Sequence, residues 1–284
     1  MISIVICSVR ESYFVSLEKN IKETIGVTAY EIIKIDNLVE KLSITQAYNK
    51  GIERSKFDFL LFIHEDVLFH TVNWGKILLE NFNANTKIGL IGIAGTAYKS
   101  NFPSAFWHTK EEMLHINLIQ HYKNKKASHF KLGFNNGNLE KAVAIDGVFI
   151  GLRKNTGVKF NEEIKGFHCY DLGISTDVLE NGYEVAVTNQ ILIEHFSIGN
   201  ANVDFVKGVI NFHKLYQAKL PKYIYKKNSS LEKLALKKFL EVCLENRFVP
   251  VKLWIYNLID SPFDRLNYNI LKLALRQLTH NKRL

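Results

Sequence analysis

Phe57-Asp58-Phe59-Leu60-Leu61-Phe62-Ile63-His64-Glu65-Asp66-Val67 joins an apolar run to a polar triplet. Between Phe57 and Ile63 only Asp58 is polar, the pattern of a strand covered on both faces, as in sheets flanked by helices. His64, Glu65 and Asp66 then follow at once. Open α/β sheets bind ligands beyond the carboxyl ends of their strands. An imidazole and two carboxylates delivered there are candidates for metal binding or acid–base chemistry.

Upstream, Ile2 to Cys7 is another apolar strand, followed by polar Ser8 and Arg10. Phe14, Leu17, Ile21 and Ile25 recur at helical spacing from about Ser12 to Thr24, and Gly26 closes that helix. Tyr30 to Ile35 alternates as a strand ending at Asp36-Asn37, and Ser43 to Ser55 reads as a helix. Strand, helix, strand, helix, strand in succession implies right-handed crossovers and a parallel sheet, with Ser8, Asp36 and Asp66 on one edge. No glycine-rich dinucleotide or phosphate-loop fingerprint follows the first strand, so phosphate charge must be handled otherwise, most simply by a metal.

Downstream, Val72 to Asn83 reads as a helix and Ile88 to Ile93 as a glycine-rich strand. Gly95 to Glu140 mixes aromatics (Tyr98, Phe102, Phe106, Trp107), four histidines and lysines with no sustained period. It is expected to be a long irregular loop or lid with a functional role. Ala142 to Leu152 reads as one buried strand interrupted by Asp146-Gly147, and an acid there is costly unless it is paired or faces a polar site. Gly166-Phe167-His168-Cys169-Tyr170-Asp171 leads into a helix from about Leu172 to Glu180. Tyr183 to Ile193 is strand-like and runs into Glu194-His195-Phe196-Ser197, so a second strand end presents a histidine.

With 284 residues, 47% of them hydrophobic, the chain can bury a sizeable core in one large domain or one domain plus an extension. Three scattered cysteines suggest neither a disulfide framework nor a zinc site, and point to a reducing cytoplasm. No secretory signal is recognisable after Met1, and no apolar run approaches the ~20 residues that span a bilayer. The expected location is the cytoplasm, free or peripheral on the inner face of the membrane. Residues 1–206 carry 21 Lys+Arg and 23 Asp+Glu, a net −2, whereas residues 207–284 carry 16 and 5, a net +11. That asymmetry divides the chain into a catalytic domain, 1–206, and a basic helical carboxyl-terminal extension, 207–284. Helices are expected there at Val203–Gln217, Ser230–Asn246 and Asn267–Thr279. Leu231, Leu234, Leu236, Phe239, Leu240, Cys243 and Leu244 form an apolar stripe beside Lys233, Lys237 and Lys238.

In their order and spacing these pieces resemble family 2 glycosyltransferases of the GT-A fold, particularly the branch with a Gly-Phe-His-x-Tyr-Asp motif. The matched pieces span about residues 2–199: the first strand, Asp36, Ala47-Tyr48-Asn49-x-Gly51, His64-Glu65-Asp66, Ile145-Asp146-Gly147, Gly166 to Asp171, and Glu194 to Ser197. The resemblance implies an α/β fold with a mostly parallel sheet flanked by helices. It further implies transfer of a sugar, with inversion, from a nucleoside-diphosphate sugar to a glycan or lipid-linked glycan acceptor, in bacterial surface polysaccharide or lipopolysaccharide synthesis. In that family Asp36 would bond the nucleobase, with Asn49 helping to form the nucleotide pocket and Ser8 and Val9 lining it. Asp66, the last acid of the family's Asp-x-Asp, would join His195 in holding Mn²⁺ or Mg²⁺, the imidazole tilting preference toward manganese. Asp171 would be the catalytic base and Asp146 would contact donor sugar or acceptor, while Gly147, His168 and Tyr170 shape the acceptor side. His64 departs from the family's first Asp; with Glu65 it falls on the donor side, its role open.

Singly, these residues have plainer readings. An Asp at a strand end commonly caps a helix or turn, His195 alone fits a structural histidine, and Asp171 fits a helix cap. The coincidence of Asp66, Asp146, Asp171 and His195 at convergent ends favours chemistry. A catalytically silent sugar-nucleotide or glycan-binding module and a sugar-phosphate nucleotidyltransferase stay open as other functions, the missing phosphate loop counting against the latter. The tail either packs its stripes on the domain or presents a basic amphipathic surface to anionic lipid. Nucleic acid is not expected, since no recognised binding module accompanies the charge.

Overall fold

The computed structural model describes residues 1–123, 125–135, 137–199 and 201–281. It opens with β1 (Ile2–Ser8), α1 (Glu11–Thr24), β2 (Tyr30–Asp36), a short α2 (Asn37–Glu40), α3 (Ile44–Arg54) and β3 (Phe59–Ile63). A capping box starts α3, Ser43 and Gln46 each accepting from the other's backbone N–H. β2 and β3 both pair parallel to β1, in registers from Ile2↔Tyr30 to Ser8↔Asp36 and from Ile2↔Phe59 to Ile6↔Ile63. Their carboxyl ends therefore share one edge, as expected.

There follow β4 (Val67–Phe69), α4 (Trp74–Ala84), β5 (Ile88–Gly92), β6 (Ala94–Thr96), β7 (Tyr98–Lys99), β8 (Leu114–Tyr122), β9 (Lys125–Leu132), β10 (Leu139–Ala142), β11 (Ala144–Ile145), β12 (Phe149–Arg153), α5 (Tyr170–Glu180), β13 (Glu184–Thr188) and β14 (Ile193–His195). The large sheet has the order β10-β13-β5-β12-β3-β1-β2, and a smaller sheet the order β11-β6-β8-β14-β4, with β9 paired to β8. In the large sheet β1, β2, β3, β5 and β13 run one way, and β10 and β12 the other. The sheet is mostly parallel and covered on both faces. Ile2, Ile4, Ile6, Leu61 and Ile63 pack against Phe14, Leu17 and Ile21 of α1 and Trp74, Leu78 and Phe82 of α4. Val5, Leu60 and Phe62 face the other way, onto Ala47, Tyr48 and Ile52 of α3 and Ile174 and Val178 of α5. The continuous apolar run in β3 is thus the mark of a strand with two buried faces.

Three sequence expectations need correction. Ala142 to Leu152 is not one strand: Ala142 ends β10 in the large sheet, β11 lies in the smaller, and β12 returns to the large. Tyr183 to Ile193 is likewise divided between β13 and β14. The segment 95–140 is not wholly irregular, for β8 and β9 form an antiparallel hairpin from Ile116↔Leu132 to Tyr122↔Lys125. Apolarity reports burial but not which of two sheets provides it, so a chain crossing between sheets reads as a single strand.

The remainder comprises α6 (Val203–Tyr216), β15 (Lys222–Tyr223), α7 (Ser229–Glu245), α8 (Val251–Asp260) and α9 (Arg265–Asn281). Position 206 lies inside α6, whose Phe205, Val206, Val209 and Phe212 pack with Ile164, Cys169 and Leu172 and with Phe239 and Cys243 of α7. The stripe on α7 turns inward, with Leu231, Leu236, Phe239, Leu240 and Cys243 buried. Buried Glu232 fastens α7 to the β7 region by accepting from Tyr98 Oη (2.6 Å), Ser100 Oγ (2.7 Å) and Asn101 N (2.9 Å). α8, between Pro250 and Pro262, has no counterpart among the expected helices. No helix among the described residues is long and apolar enough to cross a membrane.

Candidate active site

Connections between the two sheets meet along one seam. The chain passes from β3 to β4 through His64-Glu65-Asp66, from β11 to β12 through Asp146-Gly147-Val148, and from β13 to β14, which ends in His195. Polar residues that looked like interruptions in the sequence are the crossing points. The seam is also stitched by the backbone: His64 N donates to Val148 O, Asp146 N to Ala94 O, and Phe196 N to Asp66 O.

Among the described residues, His64, Asp66 and His195 bring one ligand atom each to within 4.8 Å of one another. His195 Nε2 lies 3.5 Å from Asp66 Oδ1 and 3.4 Å from His64 Nδ1. The outer nitrogens fix both tautomers. Gln120 Oε1, which can only accept, is 3.0 Å from His195 Nδ1, and the Gln120 amide is held in that sense because its Nε2 donates to His121 O and Ser197 O. Tyr170 Oη donates to Gly147 O at 3.1 Å and so accepts from His64 Nε2 at 2.7 Å. The lone pairs of His64 Nδ1 and His195 Nε2 therefore converge beside the Asp66 carboxylate, an arrangement that a cation relieves and that such outer hydrogen bonds orient. Burial, with His195 close by, pushes His64 down to about 4. Burial alone would raise Asp66, but the neighbouring His195, His64 and Arg10 hold it down at about 2. Neutral imidazoles and an ionised carboxylate are the forms that bind metal, and two nitrogens with one oxygen suit a transition ion better than magnesium.

Glu65 points the other way. It accepts from Ser8 Oγ (2.7 Å) and from Val9 N and Arg10 N (both 3.1 Å), and pairs with Arg10 Nε at 3.1 Å. Ser8, Val9 and Glu65 thus knit the turn between β1 and α1. Arg10, whose part in the site was not legible in the sequence, lies over the Tyr13 ring and reaches Asp66 Oδ2 at 3.3 Å.

His64 and His195 line a cleft of about 570 Å³ together with Asp146, Gly147, His168, Tyr170 and Asp171. Asp66 and Glu65 line an adjoining recess with Tyr13 and Phe196. Asp171 does not cap α5; that position is Cys169, at φ 65° and with no side-chain cap. Its carboxylate instead accepts from Leu172 N at 2.9 Å and Gly147 N at 3.1 Å. Burial and the nearby Asp146 outweigh those bonds and raise Asp171 to about 7, the range suited to a base working near neutrality. Asp146 itself accepts from Val148 N at 2.8 Å. Gly147 admits no side chain, because a Cβ there would stand 2.2 Å from Tyr170 Oη. The cleft is also lined by the aromatic residues Phe106, Trp107, Tyr122, Phe167 and Phe205.

Asp36 and Asn49 line neither cavity. Asp36 caps α2, accepting from Val39 N at 3.4 Å. Asn49 pins the segment before α5, donating to Phe160 O (2.9 Å) and Glu162 Oε1 (2.8 Å) and accepting from Phe160 N (2.9 Å). Gln120 was missed because nothing distinguishes it in sequence; its place follows from the register His195↔Gln120 between β14 and β8.

A search among curated proteins gives no match. Among solved structures, GalNAc-T7 with UDP, GalNAc and Mn²⁺ is similar at 12% identity and a TM-score of 0.51, over 85% of this chain and 56% of that one. The chain thus spans little more than half the length of that protein. TarS 1–349 of S. aureus, in complex with UDP-GlcNAc, is similar at 11% identity and a TM-score of 0.50, over 86% of this chain and 72% of that one. At such identities the likeness is one of fold, and the fold is that of GT-A glycosyltransferases. The model of the glycosyltransferase like family matches residues 3–204, both sheets and the start of α6, and the chain belongs to that family, within glycosyltransferase family 2.

Proposed function

We propose that the protein transfers a sugar, with inversion, from a nucleoside-diphosphate sugar to a hydroxyl of a glycan or lipid-linked glycan. What carries the reading is that Asp171, a carboxylate held near neutrality, opens into the same cleft as the convergent imidazoles of His64 and His195. Ser8, Val9 and Asp36 mark the edge along which the nucleoside would lie, with Asn49 supporting that side from behind and Arg10 and Glu65 bordering the recess beside Asp66. A divalent cation held by His64, Asp66 and His195, manganese in preference to magnesium, would neutralise the charge left on the departing diphosphate. Asp171 takes the proton of the acceptor hydroxyl as its oxygen bonds to the anomeric carbon. The bond from that carbon to the diphosphate oxygen breaks, its electron pair leaving with the diphosphate. Asp146 contacts the donor sugar, while Gly147, His168 and Tyr170 shape the acceptor side.

The setting that fits is bacterial surface polysaccharide or lipopolysaccharide assembly at the inner face of the membrane, where a lipid-linked acceptor is presented. Uridine nucleotides are the first to test, since GalNAc-T7 and TarS were each solved with one. The experiment is a thermal-shift panel of nucleoside diphosphates and their sugars, with and without Mn²⁺. At least one uridine ligand is expected to raise the melting temperature, more strongly with the ion, because a ligand of the native state stabilises it by mass action. Absence of any shift across the panel overturns the reading.

A further inference from the structure

The carboxyl-terminal hairpin of α8 and α9 leaves a large apolar face uncovered. The inner side of α9 is packed, with Leu266 and Ile270 joining Leu236 and Leu240 of α7, and a buried Asn257–Asn267 hydrogen bond of 2.9 Å ties α8 to α9. The outer side repeats at helical spacing as Tyr268, Leu271, Leu275 and Leu278, the last 62% exposed. On α8, Ile255 is exposed as well, and Phe263, in the connecting turn, is 99% exposed.

The charge carried by α8 and α9 is mostly of one sign. Lys252, Arg265, Lys272 and Arg276 are exposed, and Lys272 and Arg276 flank a shallow groove along Tyr268, Leu271 and Leu275. Asp260 and Asp264, the only acids between Val251 and Asn281, are paired back to α7 through Lys233 at 2.6 Å and Lys237 at 2.8 Å. A second copy of the chain seated here would bring like charges together. Apolar side chains that reach outward among exposed cations match a bilayer carrying anionic headgroups, the apolar groups entering the acyl boundary and the cations meeting phosphate.

We infer that α8 and α9, rather than the lysine-bearing face of α7, form the surface by which the protein lies on anionic phospholipid. This deepens the proposed function, since it assigns the membrane setting of that reading to named side chains. The test is co-sedimentation of the full chain with vesicles of equal parts phosphatidylglycerol and phosphatidylcholine, and with phosphatidylcholine alone, in the absence of donor and acceptor. The protein is expected to pellet with the first and not the second. Lys272→Glu with Arg276→Glu is expected to weaken partitioning about tenfold or more, and Leu271→Ser with Leu275→Ser to weaken it with circular dichroism unchanged. Lys19→Glu with Lys76→Glu, the same change of net charge on α1 and α4, is expected to leave it intact. Wild-type protein that stays in solution, or a control pair as damaging as the α9 pair, overturns the inference. So does a concentration-dependent dimer in sedimentation velocity that the leucine pair abolishes. Asp171→Asn is expected to pellet like wild type, so failure of transfer and failure of membrane docking are separately visible.

Discussion

Asp171 joins a catalytic assignment to a stability consequence. Its folded value of about 7 lies above the ordinary carboxylate value of 3.8, so the folded chain holds a proton that the unfolded chain gives up. The stability this group contributes is complete below about pH 4 and is lost as pH rises through about 7. Relative to the native protein, Asp171→Asn is expected to gain stability as pH rises through that window, read as the difference in melting temperature. The same substitution is expected to lower transfer ~10²–10⁴-fold, and the native rate to rise with pH through about 7. A silent binding module would instead leave biological function intact in Asp171→Asn. Tyr170 and Gln120 act one bond further out, by fixing the tautomers of His64 and His195. Tyr170→Phe and Gln120→Leu are each expected to weaken Mn²⁺ binding ~10–100-fold by titration calorimetry, without nucleotide present. Of these residues, Asp171, His195 and Tyr170 were legible through their sequence neighbours, whereas a lone Gln in a run without period offers no signal.

At the scale of elements, the reading was best where one strand has one environment. β1, β2 and β3 with α1 and α3 follow from periodicity because each lies wholly in or on the large sheet. It failed where strands change sheets, and at β9, whose Lys125 to Ser128 and His129 are exposed and so give no apolar alternation. α8 escaped because its apolar residues crowd on inner and outer sides alike. Burial explains α7 better than charge does: Glu232 is the polar anchor on an otherwise inward stripe. Glu232→Ala leaves a serine hydroxyl and a backbone N–H without their acceptor and Tyr98 Oη with only its longer bond to Asn228 O, 3.3 Å, and is expected to cost on the order of 3 kcal/mol in urea unfolding. Lys233→Ala, one residue along and exposed, is expected to stay within about 0.5 kcal/mol of native.

For the whole molecule, divalent cation is expected to be obligatory: excess EDTA abolishes transfer and added Mn²⁺ restores it, whereas full activity in the chelator would separate the His64–Asp66–His195 cluster from the reaction. The seam on which that cluster lies has a mechanical meaning as well. His64 leaves the last strand position of the large sheet, while Asp66 adjoins β4 and His195 ends β14, both in the smaller sheet. An ion bound there belongs to neither sheet and acts as a rivet between them, its binding energy present only while the two are docked. Its removal is then expected to free the smaller sheet as a separate opening unit. Amide hydrogen exchange would quicken in β4, β8 and β14 and stay slow in β1 and β3, so the smaller sheet would be the part of the protein whose rigidity depends on metal supply.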